Sequence, residues 1–573
     1  MLQKLWTQEG EFLRDNPDVQ PWQTYPRPQM KRDTWLNLNG WWDFTVSDKE
    51  LIPEHYEQKI RVPFCPESRL SGVDVHFPEG SWLYYRRKVT LPGDFNRGRV
   101  LLHVGAADQY AEVFVNGKKV GQNQGGYNAF CFDITESLQP ENEILIRCQD
   151  DLNNQSYPYG KQVKPEKRGG MWYTPVSGIW QTVWLESVPE KYVSALNIEN
   201  RGKTVTITTQ PALDGRVTVA ELGEFPLKNG TASVTCENPR LWSPEDPYLY
   251  LFTLEAGEDR IESYFALRTL EIRKAGSYPR LFLNGKPYFF HGLLDQGYWP
   301  EGLLTPAAPE SYVRDIEAMK RLGFNTLRKH IKVEAEEFYY QCDKLGMIVW
   351  QDMVNNSDYN FTRDTALPTV GIQTLPDKWL HRDRLDRTRF LMCMVKTILQ
   401  LRNHPSVCYW TIFNEAWGQF DSDYVYEQFK EYDDTRFVDS TSGWFRRKKT
   451  DVDSRHVYFK KVQLKGDGRK PLVLSEFGGK TFKAEGHIFN PEKSYGYGGC
   501  ETREELNKAV AALYYDEIVP CIRNGLCAAI YTQVSDVEDE INGLLTYDRK
   551  LEKLTPETML PVAEALKKAI GEG

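Results

Sequence analysis

The segment from residue 309 to residue 330 reads PESYVRDIEAMKRLGFNTLRKH and contains the pattern that decides the fold. Apolar residues recur at helical spacing from Val313 to Leu322, and Gly323 ends that stripe. Residues 324–327 then have the composition of a short buried strand. The segment therefore predicts a helix followed directly by a strand.

The same alternation of strands and helices continues to the C-terminus. We expect strands at 347–351, 409–413, 437–440, 456–459, 472–474 and 527–531, and helices at 334–344, 386–401, 503–522 and the C-terminus. The stretch 451–470 is irregular and is expected to lack a helix. Eight strands with helices between them are typical of a (β/α)8 barrel, which we place at residues 275–573.

The chain before the barrel has the character of antiparallel sheets. Up to residue 187, short runs of β-branched and aromatic residues are separated by turn signals, which predicts a β-sandwich over 1–187. Asn116-Gly117 supplies the two positive-φ positions of a type I′ hairpin in that region. Residues 203–209 alternate with period two, and the length of 188–274 suits an immunoglobulin-like β-sandwich.

The composition excludes several classes of protein. The 573 residues include 71 Lys plus Arg and 80 Asp plus Glu, a net charge of -9, and no broad basic face that nucleic acid would need. No apolar run approaches a membrane span, and residues 1–13 lack a signal peptide, so we expect a cytoplasmic protein that binds no membrane. The charge leaves formation of a homo-oligomer open.

The cysteine and histidine spacings indicate no metal site. Ten Cys contain no CxxC pair and nine His contain no HExxH motif. We therefore expect no metal and no other cofactor.

Polar side chains follow several predicted barrel strands, at the face where the active sites of such barrels lie. They are Asn414 with Glu415, Glu476, Asp352, and the run Arg328, Lys329 and His330. Two carboxylates among aromatic residues suit glycoside cleavage: one carboxyl group protonates the leaving oxygen, and the other attacks the anomeric carbon or activates water.

The motifs resemble those of glycoside hydrolase family 2, a family of retaining glycosidases. The matching stretches, in the order that the family has them, are 178–185, 241–250, 325–330, 402–415 and 474–478. The match at 325–330 is partial, because His330 is one position closer to Arg328 than in the family signature. The resemblance implies a jelly-roll sugar-binding-type β-sandwich, an immunoglobulin-like domain and a catalytic TIM barrel.

The resemblance also implies roles for individual residues. Glu415 would be the general acid/base and Glu476 the nucleophile, with Asn414 bonded to the sugar 2-hydroxyl. Arg328 would hold Glu476 ionised through its opposite charge. Tyr458 is the candidate for the hydroxyl that bonds the nucleophile, with His456 as its rival.

Other residues are expected at the sugar with less definite roles. Asp295, Asp352 and Trp444 occupy rim positions, and His330 is equally well explained as a substrate contact or as a packed histidine. The family places a Trp near the end of the last strand, where this chain offers Tyr531 or Gln533 instead.

The sequence ranks the possible sugar substrates without selecting one. Family members acting on glucuronides carry an Asn-x-Lys pair after the nucleophile, which occurs here only at 116–118 and 284–286, both expected hairpins. An ordinary glucuronidase is thus disfavoured. Lys329 is a candidate for recognising an acidic sugar, although an exposed or structurally paired lysine is the favoured interpretation.

We therefore expect a retaining exo-β-glycosidase of a glycoside or oligosaccharide. A terminal β-galactoside ranks first, ahead of other neutral β-glycosides and β-galacturonides. The alternative from another class is a carbohydrate-binding protein that has lost catalysis, and a metal-dependent hydrolase ranks third.

Overall fold

Alternating apolar residues build a two-sheet sandwich from the first part of the chain, since one face of each strand packs against the opposite sheet. The computed structural model describes residues 2–372 and 376–572. The larger sheet has the order Gln58–Val62, Gly40–Ser47, Trp82–Val89, Asn142–Gln149, Tyr110–Val115, Lys118–Gln124. The smaller has the order Trp35–Asn37, Val183–Val188, Arg99–Val104, Phe130–Asp133, and Ala107–Asp108 pairs with Gly178–Ile179. Asn116 and Gly117 have φ of 51° and 78°, which confirms the predicted hairpin.

The second sandwich is smaller and also antiparallel. Its sheets have the orders Ala195–Arg201, Thr204–Gln210, Thr231–Thr235 and Gly223–Leu227, Gly215–Val219, Tyr250–Ala256, Asp259–Phe265. A small sheet of Leu270–Ala275, Tyr278–Leu283 and Lys286–Pro287 then leads into the barrel. Its Asn284-Gly285 turn is the second predicted hairpin, so both Asn-x-Lys stretches lie in hairpins.

Eight parallel strands form the barrel. They are β1 (Phe290–Asp295), β2 (Thr326–Lys329), β3 (Ile348–Asp352), β4 (Val407–Asn414), β5 (Phe437–Ser442), β6 (Asp453–Val457), β7 (Leu472–Gly478) and β8 (Leu526–Thr532). Their spatial order is β5-β4-β3-β2-β1-β8-β7-β6. Ser442 Oγ on β5 lies 3.4 Å from Ser454 Oγ on β6, so the two end strands meet and nearly close the ring. The predicted fold class is therefore confirmed.

Helices cover most of the outside of the barrel. The α-helices of the chain are Gln8–Asp15, Glu310–Arg321, Glu336–Leu345, Leu367–Thr369, Arg384–Leu401, Ser422–Tyr432, Arg503–Leu513, Val519–Arg523 and Pro556–Gly571. Short 3-10 helices occur at Pro28–Met30, Arg69–Ser71, Thr135–Ser137, Pro165–Lys167 and Asp377–Trp379, and short π-helices at Thr362–Ala366 and Tyr514–Ile518. Among the described helices, none combines the length and the apolar composition that spanning a bilayer requires.

The predicted elements are present with small shifts in their ends. The strand expected at 324–327 is Thr326–Lys329, so Arg328 and Lys329 belong to the strand and not to the loop after it. No residue from 443 to 471, all of which the structure describes, is helical, as the irregular stretch 451–470 predicted. The helix expected at 503–522 contains a π-helical stretch at Tyr514–Ile518, between its two α-helical parts.

One buried arginine ties the two sandwiches together. The Arg32 guanidinium donates to both oxygens of Asp259, at 2.8 and 2.7 Å, and to Glu186 Oε2 at 3.1 Å. Glu186 belongs to the first sandwich and Asp259 to the second, and all three side chains are buried. Because a buried charge that loses its partner is costly, the junction depends on this cation.

We expect Arg32→Met to destabilise the protein strongly. Arg27 would still pair with Glu186, but Asp259 would lose its cation, which costs about 3–5 kcal/mol. An exposed pair contributes about 0–1 kcal/mol. The matched control is Arg97→Met, because Arg97 pairs with Asp33 on the surface with side chains 54% and 82% exposed. Thermal melting followed by circular dichroism should show a transition several degrees lower for the first variant alone. Equal melting of both variants would contradict the assignment.

Candidate active site

Glu415 and Glu476 meet at the C-terminal face of the barrel. Glu415 directly follows β4, and Glu476 lies near the end of β7. A carboxylate oxygen of Glu415 lies within 4.8 Å of a carboxylate oxygen of Glu476. Glu415 has a φ of 47°, in the left-handed region that side-chain-bearing residues seldom adopt, so the chain turns sharply there.

Arg328 joins the strands beneath this pair. Its guanidinium donates to both oxygens of Asp352, each at 3.0 Å, and to Glu476 Oε1 at 3.0 Å. It also donates to Asn414 Oδ1 at 2.8 Å. The guanidinium is fully buried, so these contacts fix the direction of Glu476 and of the Asn414 amide.

Tyr458 and His456 contact different carboxylates. The Tyr458 hydroxyl donates to Glu476 Oε2 at 2.7 Å, as expected. His456 Nδ1 lies 2.7 Å from Glu415 Oε1 and 3.6 Å from Glu476 Oε2. The two residues are therefore not rivals for one position, because His456 holds Glu415 while Tyr458 holds Glu476.

The two carboxyl groups have opposite pKa shifts. Burial and the nearby charge of Glu476 raise the pKa of Glu415. Burial alone would raise the pKa of Glu476 as well, but His456, Arg328 and the Tyr458 hydroxyl outweigh it and lower that pKa. Environments that separate two carboxyl groups in this way assign the proton to Glu415 and the negative charge to Glu476.

Buried nitrogen atoms without a partner surround the pair. Within the described chain, Asn414 Nδ2, His330 Nε2, Gln533 Nε2 and Trp417 Nε1 make no hydrogen bond. His330 is held from its other side, where Nδ1 lies 3.0 Å from Gln296 Oε1. Burial strongly lowers the pKa of His330 and keeps its ring neutral. Because unsatisfied buried donors are costly, the nitrogens of Asn414, Gln533 and Trp417 are placed to donate to a ligand. The neutral His330 ring directs its Nδ1–H at Gln296 Oε1 and therefore offers Nε2 as an acceptor.

The first sandwich also contributes to the site. The segment between its strands at Asn142–Gln149 and Gly178–Ile179 carries Lys161 and Trp172 to the barrel rim. The Trp172 ring stacks on Trp417 with centroids 5.1 Å apart, and the Tyr359 ring packs on both. The Lys161 ammonium lies 5.0 Å from the centre of the Trp417 ring. An aromatic wall and a cation therefore border the carboxylates on this side.

Tyr531 is a correction to the predicted site. Its ring is 1% exposed and packs against Phe477 and Tyr514 in the barrel wall, and its hydroxyl accepts from the Lys480 amide at 3.0 Å. The next residue, Thr532, faces the pocket with its Oγ1 2.9 Å from the Tyr458 hydroxyl. Successive strand residues point to opposite sides, which removes Tyr531 from the sugar.

Asp295 and Lys329 also serve the barrel. Lys329 Nζ donates to Asp295 Oδ2 at 2.7 Å and to Glu334 Oε1 at 2.9 Å, so it is the structurally paired lysine that the sequence favoured. The Asp295 carboxylate, predicted as a sugar contact, is instead bound by Lys329. Asp352 is likewise occupied by Arg328. Trp444 stays a candidate, since it is half-buried and its ring centre lies 6.3 Å from that of His456.

Glu415, His456 and Glu476 could each offer one ligand atom to a metal ion. Carboxylate oxygens and an imidazole nitrogen fit a divalent cation in donor type. The Arg328 guanidinium, 3.0 Å from Glu476 Oε1, would repel such an ion, and so would the Lys161 ammonium. The electrostatics of the cluster therefore disfavour a divalent cation, and a metal-free site stays our prediction.

Comparison with known families agrees with this geometry. Three family models match in sequence order: "Glycosyl hydrolase 2 galactose-binding domain-like" at 56–169, "Glycosyl hydrolases family 2" at 191–268, and "Glycosyl hydrolases family 2, TIM barrel domain" at 277–555. The sandwiches and the barrel with rim carboxylates are the architecture of a multidomain glycoside hydrolase. The chain belongs to glycoside hydrolase family 2, which confirms the resemblance.

Individual relatives are more distant. A putative β-glucuronidase of Formosa agariphila is 26% identical over 73% of this chain and 50% of its own length. A β-galactosidase of Thermoanaerobacter pseudethanolicus is 25% identical over 68% and 53%. The chain thus spans about half the length of these curated relatives. A solved β-D-glucuronidase of Dictyoglomus thermophilum superposes with a TM-score of 0.72 at 20% identity, over 95% of this chain and 98% of that one.

We expect His456→Asn to move the pH profile of activity to higher pH. His456 lowers the pKa of both Glu415 and Glu476, so its loss raises both. With Glu476 as the predicted nucleophile and Glu415 as the predicted acid, ionisation of Glu476 would set the acidic limb of the profile and deprotonation of Glu415 the alkaline limb. The matched control is His487→Asn, since His487 Nδ1 contacts Asp548 Oδ2 at 2.7 Å outside this cluster. Profiles of kcat/KM against pH check both limbs, and an unmoved or downward-shifted profile would refute the assignment.

Proposed function

We propose that the protein is a retaining exo-β-glycosidase in which Glu476 attacks the anomeric carbon and Glu415 protonates the leaving oxygen. The observation that carries this proposal is the close pair of carboxyl groups with opposite pKa shifts. Retaining glycosidases hold their carboxyl groups about 5–5.5 Å apart, while inverting enzymes need a wider gap for water. An oxygen pair within 4.8 Å supports retention.

The reaction then proceeds in two displacements. Glu476, ionised and aimed by Arg328 and Tyr458, forms a bond to the anomeric carbon while Glu415 gives its proton to the departing oxygen. Glu415, now ionised, takes a proton from water, and that water breaks the bond to Glu476. The free Asn414 Nδ2 is positioned to bond a sugar hydroxyl as positive charge develops on the ring.

For the sugar, we place a β-D-uronide ahead of the β-galactoside that the sequence ranked first. Two of the three relatives described above bear the name β-glucuronidase, which supports an acidic sugar. The pocket also contains positive charge beyond Arg328, namely Lys161. A β-galactoside is the second candidate, because one relative is a β-galactosidase and neither Asn-x-Lys stretch lies at the barrel rim.

A purely carbohydrate-binding protein would explain the site less well. Binding alone needs the unpaired donors and the aromatic wall. It does not need one carboxyl group with a raised pKa beside a second one with a lowered pKa.

We expect Glu476→Gln to abolish hydrolysis of 4-nitrophenyl β-glycosides by several orders of magnitude, because an amide cannot attack the anomeric carbon. Glu427→Gln is the matched control, since Glu427 is an exposed residue paired with Lys449. A panel of glucuronide, galacturonide, galactoside and glucoside, assayed after exhaustive chelation, also tests the sugar and metal independence. A Glu476→Gln enzyme with most of its activity, or a wild type that binds sugars and hydrolyses none, would overturn the proposal.

We expect Glu415→Ala to be rescued by azide on a substrate with a good leaving group. A dinitrophenolate departs without a proton, and azide attacks the intermediate without a general base. Neither step then needs Glu415. General acid–base catalysis by a positioned side chain accelerates a reaction roughly 10²–10⁴-fold, so without azide the variant should be slower by about that factor. Proton NMR should identify the product as the β-glycosyl azide. An α-configured azide would refute retention, and failure of rescue would refute the role of Glu415.

A further inference from the structure

Lys161 is a buried cation without a partner. Its side chain is 5% exposed, and Nζ has neither a hydrogen bond nor a carboxylate oxygen within 4.0 Å among the described residues. Its neighbours are the faces of Trp417 and Tyr173, with ring centres 5.0 and 5.8 Å from Nζ. Burial lowers the pKa of Lys161. The nearby carboxylates of Glu540, Glu476 and Glu415 lie beyond ion-pair distance, so an anionic ligand in the pocket would stabilise this nearly buried ammonium.

The other buried lysines of the described chain are already paired, including Lys553 with Asp536. Lys329 is bonded to Asp295 and Glu334, and Lys332 donates to Glu334 Oε1 at 2.7 Å and to two backbone carbonyls. The oxygens of Glu540, the acidic group with most influence on Lys161, are bonded to Tyr173 and Asn542. Lys161 is therefore the buried lysine of the described chain whose ammonium is available to a ligand.

The backbone holds Lys161 firmly at this place. Gly160 has a φ of 64°, and a Cβ there would lie 2.9 Å from the Ile331 carbonyl of the barrel, so the chain approaches that closely only with glycine. On the other side, Gln162 is buried and bonded to Asp108, the Tyr127 hydroxyl and the Val176 amide. Lys161 is thus presented to the pocket by a fixed segment of the first sandwich.

We infer that Lys161 recognises the carboxylate of a uronic acid glycon, so that the first sandwich supplies the residue that selects acidic over neutral sugars. The inference rests on the proposed glycosidase function. A uronide differs from the matching neutral glycoside in having a carboxylate where the latter has a hydroxymethyl group. Lys161 Nζ lies 5.0 Å from the centre of the Trp417 ring, and that centre lies 6.3 Å from the centre of the His330 ring, whose Nε2 is 3.6 Å from Glu476 Oε1. The same ammonium lowers the pKa of both Glu415 and Glu476, in keeping with a position beside the sugar that they would attack.

The competing explanation is that Lys161 only neutralises the carboxylates of the pocket. In that case its loss would impair every substrate alike, because it would act through Glu415 and Glu476. A residue that also binds the substrate carboxylate would reduce activity on uronides further than activity on the matching neutral sugars. Matched pairs of substrates separate the two explanations.

The test compares wild type, Lys161→Met, Lys161→Gln and the control Lys167→Met, which removes an exposed lysine from the same segment. Substrates are the 4-nitrophenyl β-glucuronide and β-galacturonide with their neutral partners, the β-glucoside and β-galactoside. We expect both Lys161 variants to lose roughly a hundredfold or more in kcat/KM on the uronides, as truncation of a buried charge pair does. Because Lys161 also lowers the pKa of Glu415 and Glu476, some loss is expected on every substrate. The decisive quantity is the ratio of kcat/KM on a uronide to that on its neutral partner, which should fall about tenfold or more in both Lys161 variants. Lys167→Met should leave that ratio and all four activities unchanged within about threefold.

Each other outcome has a definite meaning. Equal losses on all four substrates, or unchanged uronide hydrolysis, would overturn the role of Lys161. Wild type that hydrolyses neutral glycosides and no uronide would overturn it too and leave the glycosidase proposal standing. If wild type hydrolyses none of the four, the glycosidase proposal fails. Calorimetry with free glucuronate and glucose then tests the role of Lys161 without catalysis, because equal affinities of wild type and Lys161→Gln for glucuronate would refute the inference. Melting curves identify a variant that does not fold.

Discussion

The site depends on one buried charge, the guanidinium of Arg328. Taking it out of water is repaid by bonds to Asp352, Glu476 and Asn414, which come from three different strands. Each of those bonds fixes a side chain that the proposed chemistry uses or supports. The ionised state of Glu476 follows from the same contact, and so does the orientation that leaves the Asn414 amide nitrogen free. Strand order, electrostatics and donor geometry are thus set together.

Residues placed by the barrel pattern could be predicted from the sequence. An apolar strand followed by polar residues locates the rim, and that rule found Glu415, Glu476, Arg328 and Asn414 because all four lie on or beside strands. The same rule does not give the direction of a side chain. Tyr531 and Thr532 differ by one position and face opposite sides, so a one-residue uncertainty in the strand is enough to choose the wrong one.

Contacts between distant parts of the chain left no local signal. Trp417 follows the Asn414-Glu415 pair closely and could have been suggested as an aromatic neighbour of the acid. Lys161 could not, because it precedes the barrel and reaches the rim only through the packing of the first sandwich. Opposite pKa shifts for Glu415 and Glu476 were likewise inaccessible, since they depend on distances to His456, Arg328 and Tyr458.

The close approach of Gly160 to Ile331 makes the pocket a joint product of two domains. The barrel alone would keep the proposed acid and the proposed nucleophile, yet it would lose the Trp172 wall and the Lys161 cation. The proposed sugar preference is therefore not a property of the barrel alone. Grafting this barrel behind another sandwich would transfer the two carboxyl groups without the residues proposed to select the sugar.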